Sequence, residues 1–549
     1  MRQLPREHWS YPLIALLAGA VMLARCVHVS RVYSNTVDEP YHIGSAMVLW
    51  ESKKLVVGAQ HPPLVRWVIA LPLVMQGVQY PEARDEYVVV EYPGFGIGQQ
   101  ILFSGQLPYW RMLMAARHAL LIFPVIALFF VYRLGRYLSN PLVAMLATVF
   151  FSFDPAFLAH SSLVGTDVAG CAGFVAGLYY GIRWIAKPQA ARGAVFGLVI
   201  GLVIASKFSC LLLIPILLFI ALMRRRRLPR IGSIALACAV AFVVVWATYG
   251  FQINQMRQQA LFDEADPAWV RLPAFVREMP IPMPSFWLGQ YFLATRASQG
   301  HATYLNGKVS YDGWWMYFPE ALTVKETIGF SLALLVGVAI LIRSPRSLRV
   351  WLLLVPTVIY LAISMVSRYQ LGIRHLLPVL PLMYLFIAMQ FLLVRREAAL
   401  IFVILLAMIE TAAIHPDYLA FFNVASGGSI QGDRYLIDSN LDWGQDMARL
   451  ANWLRSYDVQ GRPYSIRCAY ATEPLLKELG LDPAALNGKP RGLFAISKNV
   501  LHRLELADHG KGSVTLGEDY SWVSRYPLVK RIGYSIDVYD LDAKDSPAK

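Results

Sequence analysis

Long apolar stretches alternate with polar segments along most of this 549-residue chain. A helix that crosses a membrane needs about 20 consecutive, mainly apolar residues, and stretches of this kind recur as far as residue 414. They predict about eleven transmembrane helices, at residues 11–29, 112–132, 140–158, 166–186, 193–206, 208–223, 231–249, 327–343, 349–366, 376–394 and 398–414. The pattern therefore predicts a polytopic α-helical membrane protein. The count can shift by one or two, because 193–223 can be divided differently around Lys207.

Three polar segments are too long to be simple connections between helices. They cover residues 30–110, 250–326 and 415–549. Loops of this length usually carry function or fold as small domains. We therefore divide the chain into a transmembrane module, 1–414, whose large outer loops are 30–110 and 250–326, and an extracytoplasmic C-terminal domain, 415–549.

Local patterns predict secondary structure inside these segments. The first loop shows two helical patterns followed by a glycine-rich turn region. The last segment shows one helix and two strands with alternating polarity, which is typical of an α/β domain. The predicted helices are 39–55, 64–79 and 442–457, the turn region is Pro93–Gly98, and the strands are 464–470 and 533–540.

The charge distribution orients the predicted helices. The chain has a net charge of +14, yet 56% of its residues are hydrophobic and only 16% are charged, which is too apolar for a soluble enzyme. Basic residues cluster between apolar stretches, as at Arg224–Arg227 and Arg395–Arg396. Such clusters are typical of cytoplasmic loops. We therefore predict a multi-pass plasma (inner) membrane protein with a cytoplasmic N-terminus, a C-terminal domain outside and no nucleic-acid partner.

Three acidic residues stand at predicted outer helix ends. Asp38 and Glu39 precede Pro40, a residue type that favours the first turn of a helix. One acid would suffice to complement the helix dipole. The pair therefore also suggests an outer active site, in which a carboxylate takes a proton from an acceptor hydroxyl. Asp167 lies at the outer end of the fourth predicted helix, where an acid is costly unless it is paired or functional.

Basic residues stand at the same predicted membrane boundary. They are His61 and Arg66 in "AQHPPLVRW", Lys207 in "IASKFSC", and Arg368, Arg374 and His375 in "SRYQLGIRHLLPVLP". Each lysine or arginine alone is explained by a long side chain that reaches from a helix end to the interface. Their position on the outer side, however, opposes the positive-inside tendency and favours a bound phosphate. Acids for a hydroxyl and bases for a phosphate are what a transfer with a phosphate leaving group requires.

Metal binding is an alternative at one place. Asp38, Glu39, His42 and His61 are close enough in sequence to suggest a divalent ion, although His42 is also placed to orient Asp38 from one helical turn away. The five cysteines form no C-x-x-C pair and no zinc spacing, and only Cys468 lies in the last segment. We assign no metal ligands and no certain cofactor, and leave the divalent ion open.

The stretch "DSNLDWGQD" at 438–446 imitates the start of a calcium loop. Its glycine falls at the seventh position of the loop rather than the sixth, and Arg449 occupies the twelfth position instead of glutamate. These departures exclude an EF-hand. Asp442 and Asp446 lie one helical turn apart, and we expect them on a solvated or docking face.

Several motifs together resemble a known family. "DEPYH", "HPPLVRW", "TD" at the fourth predicted helix, "SKFS" and "GIRHLLPVLP" are similar to motifs of the protein O-mannosyltransferases and their bacterial relatives. "GWWMYFPEALTVKET" and "RYLIDSNLDWGQDMARLANWL" resemble the bacterial branch. The resemblance covers most of the chain. It implies a GT-C fold and a membrane glycosyltransferase that uses a polyprenyl-phosphate-linked sugar.

The resemblance also implies roles for the acidic residues. In the family mechanism, an inverting transfer moves the sugar from the lipid phosphate to an acceptor hydroxyl. Asp38 matches the candidate catalytic base, Glu39 lies beside it in the acceptor or donor region, and Asp167 matches the second acidic position.

For the basic residues, the resemblance implies donor binding. Lys207 and Arg374 would bind the lipid phosphate and stabilise the leaving group. His61 and Arg66 match an HPP-x-x-basic motif, in which this chain has Arg where the family typically has Lys. Charge is kept, but arginine prefers planar bidentate contacts, so the geometry need not be equivalent. We expect supporting roles for His42, His61, His375 and Arg368.

Three function classes remain to be separated. The favoured class is a glycosyltransferase whose acceptor is an exported protein, as in protein O-mannosylation, or else lipid A, a glycolipid or a polymer, since fold alone cannot choose. A transporter or flippase would place charges near the bilayer midplane and show two related halves. Here the charges cluster at the outer helix ends, and the two halves do not match. A sensor or scaffold would leave the acids of the first loop unexplained. The sequence does not identify the sugar, the acceptor, the lipid length or the oligomeric state.

Overall fold

The structure is a computed structural model that describes residues 9–55, 57–80, 93–223, 229–256, 273–343, 348–456, 462–502 and 518–543. Its first helices are α1 Ser10–Val32, α2 Asp38–Ser52, α3 Leu64–Met75, α4 Pro93–Leu102, α5 Tyr109–Ala119, α6 Ile122–Leu138, α7 Pro141–Phe151, α8 Pro155–Ser161, α9 Asp167–Ala186, α10 Ala190–Ser206, α11 Leu213–Met223 and α12 Ile231–Thr248. The later helices are α13 Ala274–Glu278, α14 Pro284–Gln299, α15 Tyr317–Lys325, α16 Ile328–Arg343, α17 Leu348–Val366, α18 Leu380–Leu393, α19 Glu397–Ala413, α20 Met447–Ser456, α21 Glu473–Glu478 and α22 Lys498–Leu501. The predicted basic cluster Arg224–Arg227 lies outside the described residues.

The apolar stretches form helices, as a polytopic membrane protein requires. Each predicted stretch coincides with a helix or a bent helix pair. Within the described ranges, five helices are long and apolar enough to cross a membrane, and up to seven if each of two bent pairs counts as one span. The pairs α7–α8 and α15–α16 bend by 67° and 120°. Shorter apolar helices such as α10, α11 and α18 accompany them, so the predicted number of eleven spans stays a prediction.

The degree of burial distinguishes the helices at the centre of the bundle from those at its periphery. The apolar stretch of α9 is 78% buried, whereas that of α12 is only 17% buried. α12 instead exposes large apolar side chains such as Phe242 and Val243, as expected for a helix that faces lipid. α9, which begins at Asp167, therefore lies at the centre of the helical bundle.

The predicted turn region at Pro93–Gly98 is wrong, because the chain there forms α4. Glycine allows this helix to pack directly on the backbone of α2. A Cβ at Gly98 would lie 1.7 Å from the carbonyl oxygen of Pro40, and one at Gly44 would lie 2.2 Å from that of Gly94. The glycines are thus a helix-crossing surface, which a local pattern cannot distinguish from a turn.

The C-terminal segment contains a four-stranded mixed sheet. Its strands are β5 Tyr464–Arg467, β6 Leu493–Ser497, β7 Leu528–Ile532 and β8 Ile536–Asp540, in the order β5-β6-β8-β7 with only the β5–β6 pair parallel. The predicted strands at 464–470 and 533–540 correspond to β5 and β8. Earlier two-residue and three-residue strands, β1 Ile253–Asn254, β2 Ile281–Pro282, β3 Thr303–Leu305 and β4 Lys308–Ser310, form two small hairpin pairings.

The chain before this sheet is bonded to the membrane module. Short 3-10 turns run from Tyr418 to Asn440. The amide of Ser34 donates to the carbonyl of Gln445 at 2.9 Å, and that of Val37 donates to the carbonyl of Trp443 at 3.1 Å. Residues 443–445 therefore lie directly against the segment that leads into α2. A domain boundary at residue 415 stays a prediction.

Candidate active site

Four charged side chains from distant parts of the chain form an alternating row. Arg374 Nη1 lies 2.8 Å from Asp38 Oδ2 and 3.7 Å from Asp167 Oδ2. The ammonium of Lys207 forms an ion pair with the other oxygen of Asp167. Acid and base thus alternate in the order Asp38, Arg374, Asp167, Lys207. These four were all predicted as site residues, and the structure brings them together.

Helix ends position these charges. Asp38 and Asp167 are the first residues of α2 and α9, where the helix dipole favours a carboxylate. Lys207 follows the last residue of α10 in an extended conformation, where a cation is favoured. Arg374 lies in the 3-10 turn Ile373–Leu376 that precedes α18. Every member of the row is therefore carried by the end of an element rather than by a free loop.

The row is open to solvent at one end. The side chain of Asp38 is 35% exposed, whereas those of Arg374, Asp167 and Lys207 are only 10%, 11% and 13% exposed. The guanidinium of Arg374 lies 4.3 Å from the ring centroid of Trp443, a cation–π contact that fixes its plane. The arrangement is a partly buried row of two acids and two bases, and only its end at Asp38 is accessible to solvent.

Glu39, predicted beside Asp38 in the reaction site, does not belong to this row. Its carboxylate is fully buried and receives two hydrogen bonds from Arg117, at 2.7 and 2.6 Å. It also accepts from the amides of Thr36 and Val164, each at 2.8 Å. Adjacent residues of a helix point about 100° apart, so only one of the two acids faces the opening. Glu39 instead joins α2 to the segment that precedes Asp167.

Arg66, predicted as a phosphate ligand, lies away from the row and contacts the backbone of its own loop. Its side chain is fully buried and donates to the carbonyls of Val57 and Gly58, at 3.0 and 2.6 Å. Gly58 has a φ of +73°, and a Cβ there would lie 2.3 Å from the guanidinium. Arg66 thereby shapes the loop in front of α3.

The two predicted support histidines of the first loop pack together. The rings of His42 and His61 have centroids 5.0 Å apart. Burial lowers the pKa of His42 to about 4 and lowers the pKa of His61 well below its usual value. Both rings are therefore neutral at physiological pH. Over the described part of the chain, no group of three or more His, Cys, Asp or Glu side chains is arranged to hold a metal ion.

The remaining two predicted supports lie at different depths. Arg368 is 52% exposed and pairs at 3.6 Å with the exposed Asp312, a contact that stabilises little. His375 stacks near Phe318, with a centroid distance of 6.2 Å, and burial lowers its pKa to about 3. Arg368 is therefore a surface residue, whereas His375 is a neutral packing partner of the turn that carries Arg374.

Sequence reasoning missed the contribution of residues 438–443. The hydroxyl of Ser439 donates to the carbonyl of Leu371, and Asn440 Oδ1 accepts from the amide of Ile373 at 3.0 Å. Trp443 from the same stretch lies under Arg374. This stretch therefore holds the turn that carries the central arginine. The sequence signal that could have indicated this role is the presence of Asn440 and Trp443 among the acidic residues of the stretch.

The expectation of a solvated or docking face for Asp442 and Asp446 is wrong. Both side chains are buried. Asp442 accepts from the amide of Asn499 at 2.8 Å, and Asp446 accepts from the hydroxyl of Ser535 at 2.7 Å. Burial raises the pKa of each carboxyl to about 6. These acids connect the stretch 438–446 to the C-terminal sheet.

One family model matches the chain. Residues 112–249, well under half of the chain, match the family described as dolichyl-phosphate-mannose-protein mannosyltransferase. The resemblance indicated by the motifs, and with it the prediction of a glycosyltransferase, is confirmed at the level of this match. The matched region includes Asp167 and Lys207 but neither Asp38 nor Arg374. No curated protein sequence matches the chain.

Solved structures give more distant likenesses. ArnT from Cupriavidus metallidurans bound to undecaprenyl phosphate is 12% identical with a TM-score of 0.47, over 97% of this chain and 99% of that one. The Archaeoglobus fulgidus oligosaccharyltransferase in the apo form is 14% identical with a TM-score of 0.45, and AglB from the same organism, with an inhibitory peptide and a dolichol-phosphate, has a TM-score of 0.43. Each of these two alignments covers 88% of this chain but only 61% of the other protein's chain.

Proposed function

We propose that this protein is an integral membrane inverting glycosyltransferase, which moves a sugar from a polyprenyl-phosphate-linked donor to an acceptor hydroxyl on the outer face. The observation that carries the proposal is the alternating row Asp38, Arg374, Asp167, Lys207 at the ends of membrane-associated helices. The match of residues 112–249 to a lipid-phosphate-dependent mannosyltransferase family supports the same chemistry.

Arg374 and Lys207 are the proposed ligands of the donor phosphate. Both are nine-tenths buried or nearly so and both contact Asp167, so their cationic heads are held in place before a donor arrives. A phosphate that binds between them replaces part of their interaction with Asp167. Fixed charges in a partly desolvated site stabilise the negative charge that develops on the departing phosphate.

Asp38 is the proposed base. The acceptor oxygen forms a bond to the anomeric carbon of the sugar, the bond from that carbon to the phosphate oxygen breaks, and the acceptor proton passes to the carboxylate of Asp38. The polyprenyl phosphate leaves with the bonding electron pair. Attack from the face opposite the leaving group inverts the anomeric configuration. The neighbouring Arg374 holds the carboxylate of Asp38 by an ion pair at 2.8 Å.

We further propose the finer features that the sequence predicted. These are a GT-C arrangement of about eleven spans, residues 415–549 as the extracytoplasmic domain, and an N-terminus on the cytoplasmic side of the inner membrane. For the acceptor, we favour a hydroxyl of an exported protein, as in protein O-mannosylation, because the matching family model describes protein mannosyltransferases. Lipid A or another glycolipid is the alternative acceptor.

The test compares wild-type protein with Asp38→Asn in the presence of radiolabelled polyprenyl-phosphate sugars and a membrane extract as the acceptor source. Asp312→Asn is the matched control, because that carboxylate is exposed and pairs with Arg368 away from the row. We expect wild type and control to consume one donor and Asp38→Asn to be slower by about 10²- to 10⁴-fold. Near-normal turnover by Asp38→Asn would refute the role of Asp38 as the base. If wild type turns over none of the donors, the proposed function itself is refuted.

A further inference from the structure

We infer that the carboxyl group of Asp438 contacts a hydroxyl of the sugar being transferred and so helps to select the donor. This inference rests on the proposed function. It is carried by the placement of Asp438, whose neighbours Ser439 and Asn440 form hydrogen bonds to the backbone just before Arg374.

The backbone of Asp438 is held in one conformation by hydrogen bonds. Its φ is +56°, in the left-handed region, which aspartate occupies more readily than most residues other than glycine. Its amide donates to the side-chain oxygen of Asn499 at 2.8 Å. Asn499 is itself held by Asp442, through its amide at 2.8 Å and its side-chain nitrogen at 2.9 Å. These bonds fix the backbone from which the carboxyl group of Asp438 projects.

The residues that follow Asp438 fix its position relative to Arg374. Ser439 and Asn440 bond to the backbone of Leu371 and Ile373, immediately before the arginine. Lys325 donates to the carbonyl of Asn440 at 2.6 Å from the other side. Asp438 and the proposed phosphate ligand Arg374 therefore lie on two segments that are hydrogen-bonded to each other.

The carboxyl group of Asp438 is available to a ligand. It is half-buried, whereas Ser439 and Asn440 beside it are buried. It forms no ion pair within 4 Å with any base of the described ranges, although the charges of Arg374 and Asp38 are close enough to influence it. Burial raises the pKa of Asp438 to about 7, so its carboxyl group exists in both protonation states near neutral pH and can accept or donate a hydrogen bond.

The sugar is the part of the substrates that such a group would meet. The sugar is joined directly to the donor phosphate, so a side chain at a fixed distance from Arg374 is also at a fixed distance from the sugar. The acceptor approaches the proposed base Asp38, the exposed end of the row. A carboxyl group held beside the phosphate-binding turn is therefore placed for hydroxyls of the sugar, which lies between the phosphate and the acceptor.

The test uses Asp438→Asn and Asp438→Gly, because asparagine and glycine both tolerate a positive φ and should leave the backbone in place. Turnover is measured with a polyprenyl-phosphate hexose that wild type accepts and with analogues that each lack one sugar hydroxyl. We expect Asp438→Gly to lower kcat/KM for the complete sugar by about 10- to 100-fold, the effect of a lost hydrogen bond to a charged group. For one deoxy analogue, kcat/KM of wild type should fall by a similar factor. With that analogue, kcat/KM of Asp438→Gly should be only slightly lower than that of wild type.

This non-additivity is the signature of a direct contact, which a purely structural residue would not produce. The inference is overturned if, for every analogue, the loss caused by the substitution multiplies with the loss caused by the missing hydroxyl. It is also overturned if the Asp438 variants turn over the complete sugar as fast as wild type. Either result leaves the proposed function intact. A wild-type protein that turns over no polyprenyl-phosphate sugar refutes the proposed function and this inference with it. Asp312→Asn serves as the control, and it should respond to every deoxy analogue as wild type does.

Discussion

Arg374 Nη1 lies 2.8 Å from a carboxylate oxygen of Asp38, although 336 positions separate the two residues in the chain. The same nitrogen lies 3.7 Å from Asp167, whose other oxygen pairs with Lys207. Arg374 is therefore the group that joins the two acids at the openings of α2 and α9. A phosphate bound to it would lie beside the carboxylate that is accessible to an acceptor.

Arg374→Lys tests whether this geometry, and not charge alone, is required. Lysine keeps the positive charge but lacks the planar guanidinium that stacks on Trp443. We expect kcat/KM for the lipid-linked donor to fall by about 10- to 100-fold, equivalent to 1.4–3 kcal/mol of lost stabilisation. Arg368→Lys is the control, because Arg368 is a half-exposed base of the same loop. Equal activity of the two variants would show that charge suffices.

Glu39→Gln and Asp38→Asn together test whether the two adjacent acids have different roles, because they should lower the stability of the protein to different extents. Glu39 and Arg117 form a fully buried pair with two short hydrogen bonds, and removal of one buried partner typically costs about 3–5 kcal/mol. Asp38→Asn, at a partly exposed position, should cost about 1 kcal/mol or less. We therefore expect thermal unfolding of purified protein to show a large decrease in Tm for Glu39→Gln and a small one for Asp38→Asn. The reverse order would contradict the assignment of the two roles.

The sequence was informative about the row because a charge at the end of an apolar stretch is conspicuous. Asp38, Asp167, Lys207 and Arg374 each stand at such a boundary. It could not show which of two adjacent acids faces the opening, because that depends on the rotation of α2, which packing against Arg117 fixes. The same holds for Arg66, whose charge suggested a ligand and whose contacts are loop carbonyls.

Long-range contacts explain the other omissions. Asn440 meets Ile373 across 67 positions, and this pairing has no local signature. The glycine-rich start of α4 looked like a turn because its partner surface, α2, lies about fifty residues earlier in the chain. Helices and the two strands β5 and β8 were predictable since their periodicity is local. The bends of 67° and 120° within apolar stretches were not.

Gly98→Ala tests the helix crossing that supports Asp38. The added methyl group would lie 1.7 Å from the backbone oxygen of Pro40, so α4 must move away from α2. We expect reduced thermal stability together with reduced activity, because Pro40 is only two residues from Asp38. Gly232→Ala is the control, since a Cβ there meets nothing within 4 Å and alanine favours a helix. A neutral Gly98→Ala would show that the two helices are not in close contact.

The pH dependence of donor binding should report Asp438. Burial raises the pKa of this carboxyl to about 7, and Arg374, Asp38 and Asp442 are the charged groups that influence it. It is therefore mainly protonated at pH 6 and mainly ionised at pH 8. A carboxylate accepts the stronger hydrogen bond, so we expect the KM for the donor to fall as pH rises through 7 in wild type and to stay flat in Asp438→Asn.

The same shift has an opposite effect on the stability of the fold. A carboxyl group with a raised pKa holds its proton more tightly in the folded than in the unfolded chain, so its contribution to stability falls as pH rises from about 4 to 7. Asp442 and Asp446, with pKa values raised to about 6 by burial, act in the same direction. Between about pH 6 and 7, Tm and the KM for the donor should therefore both decrease as pH rises, which a simple loss of active protein would not produce.

The most direct test of the central claim is the affinity of the purified protein for a polyprenyl phosphate, because it needs no acceptor. The variants are Lys207→Ala and Arg374→Ala, and Arg368→Ala is the control from the same loop. We expect wild type and Arg368→Ala to bind with equal affinity and each of the other two to bind at least about tenfold more weakly, the effect of one lost charge-assisted contact. Equal affinity in all four proteins, or no binding by wild type, would contradict the assignment of this row of charges to a lipid phosphate.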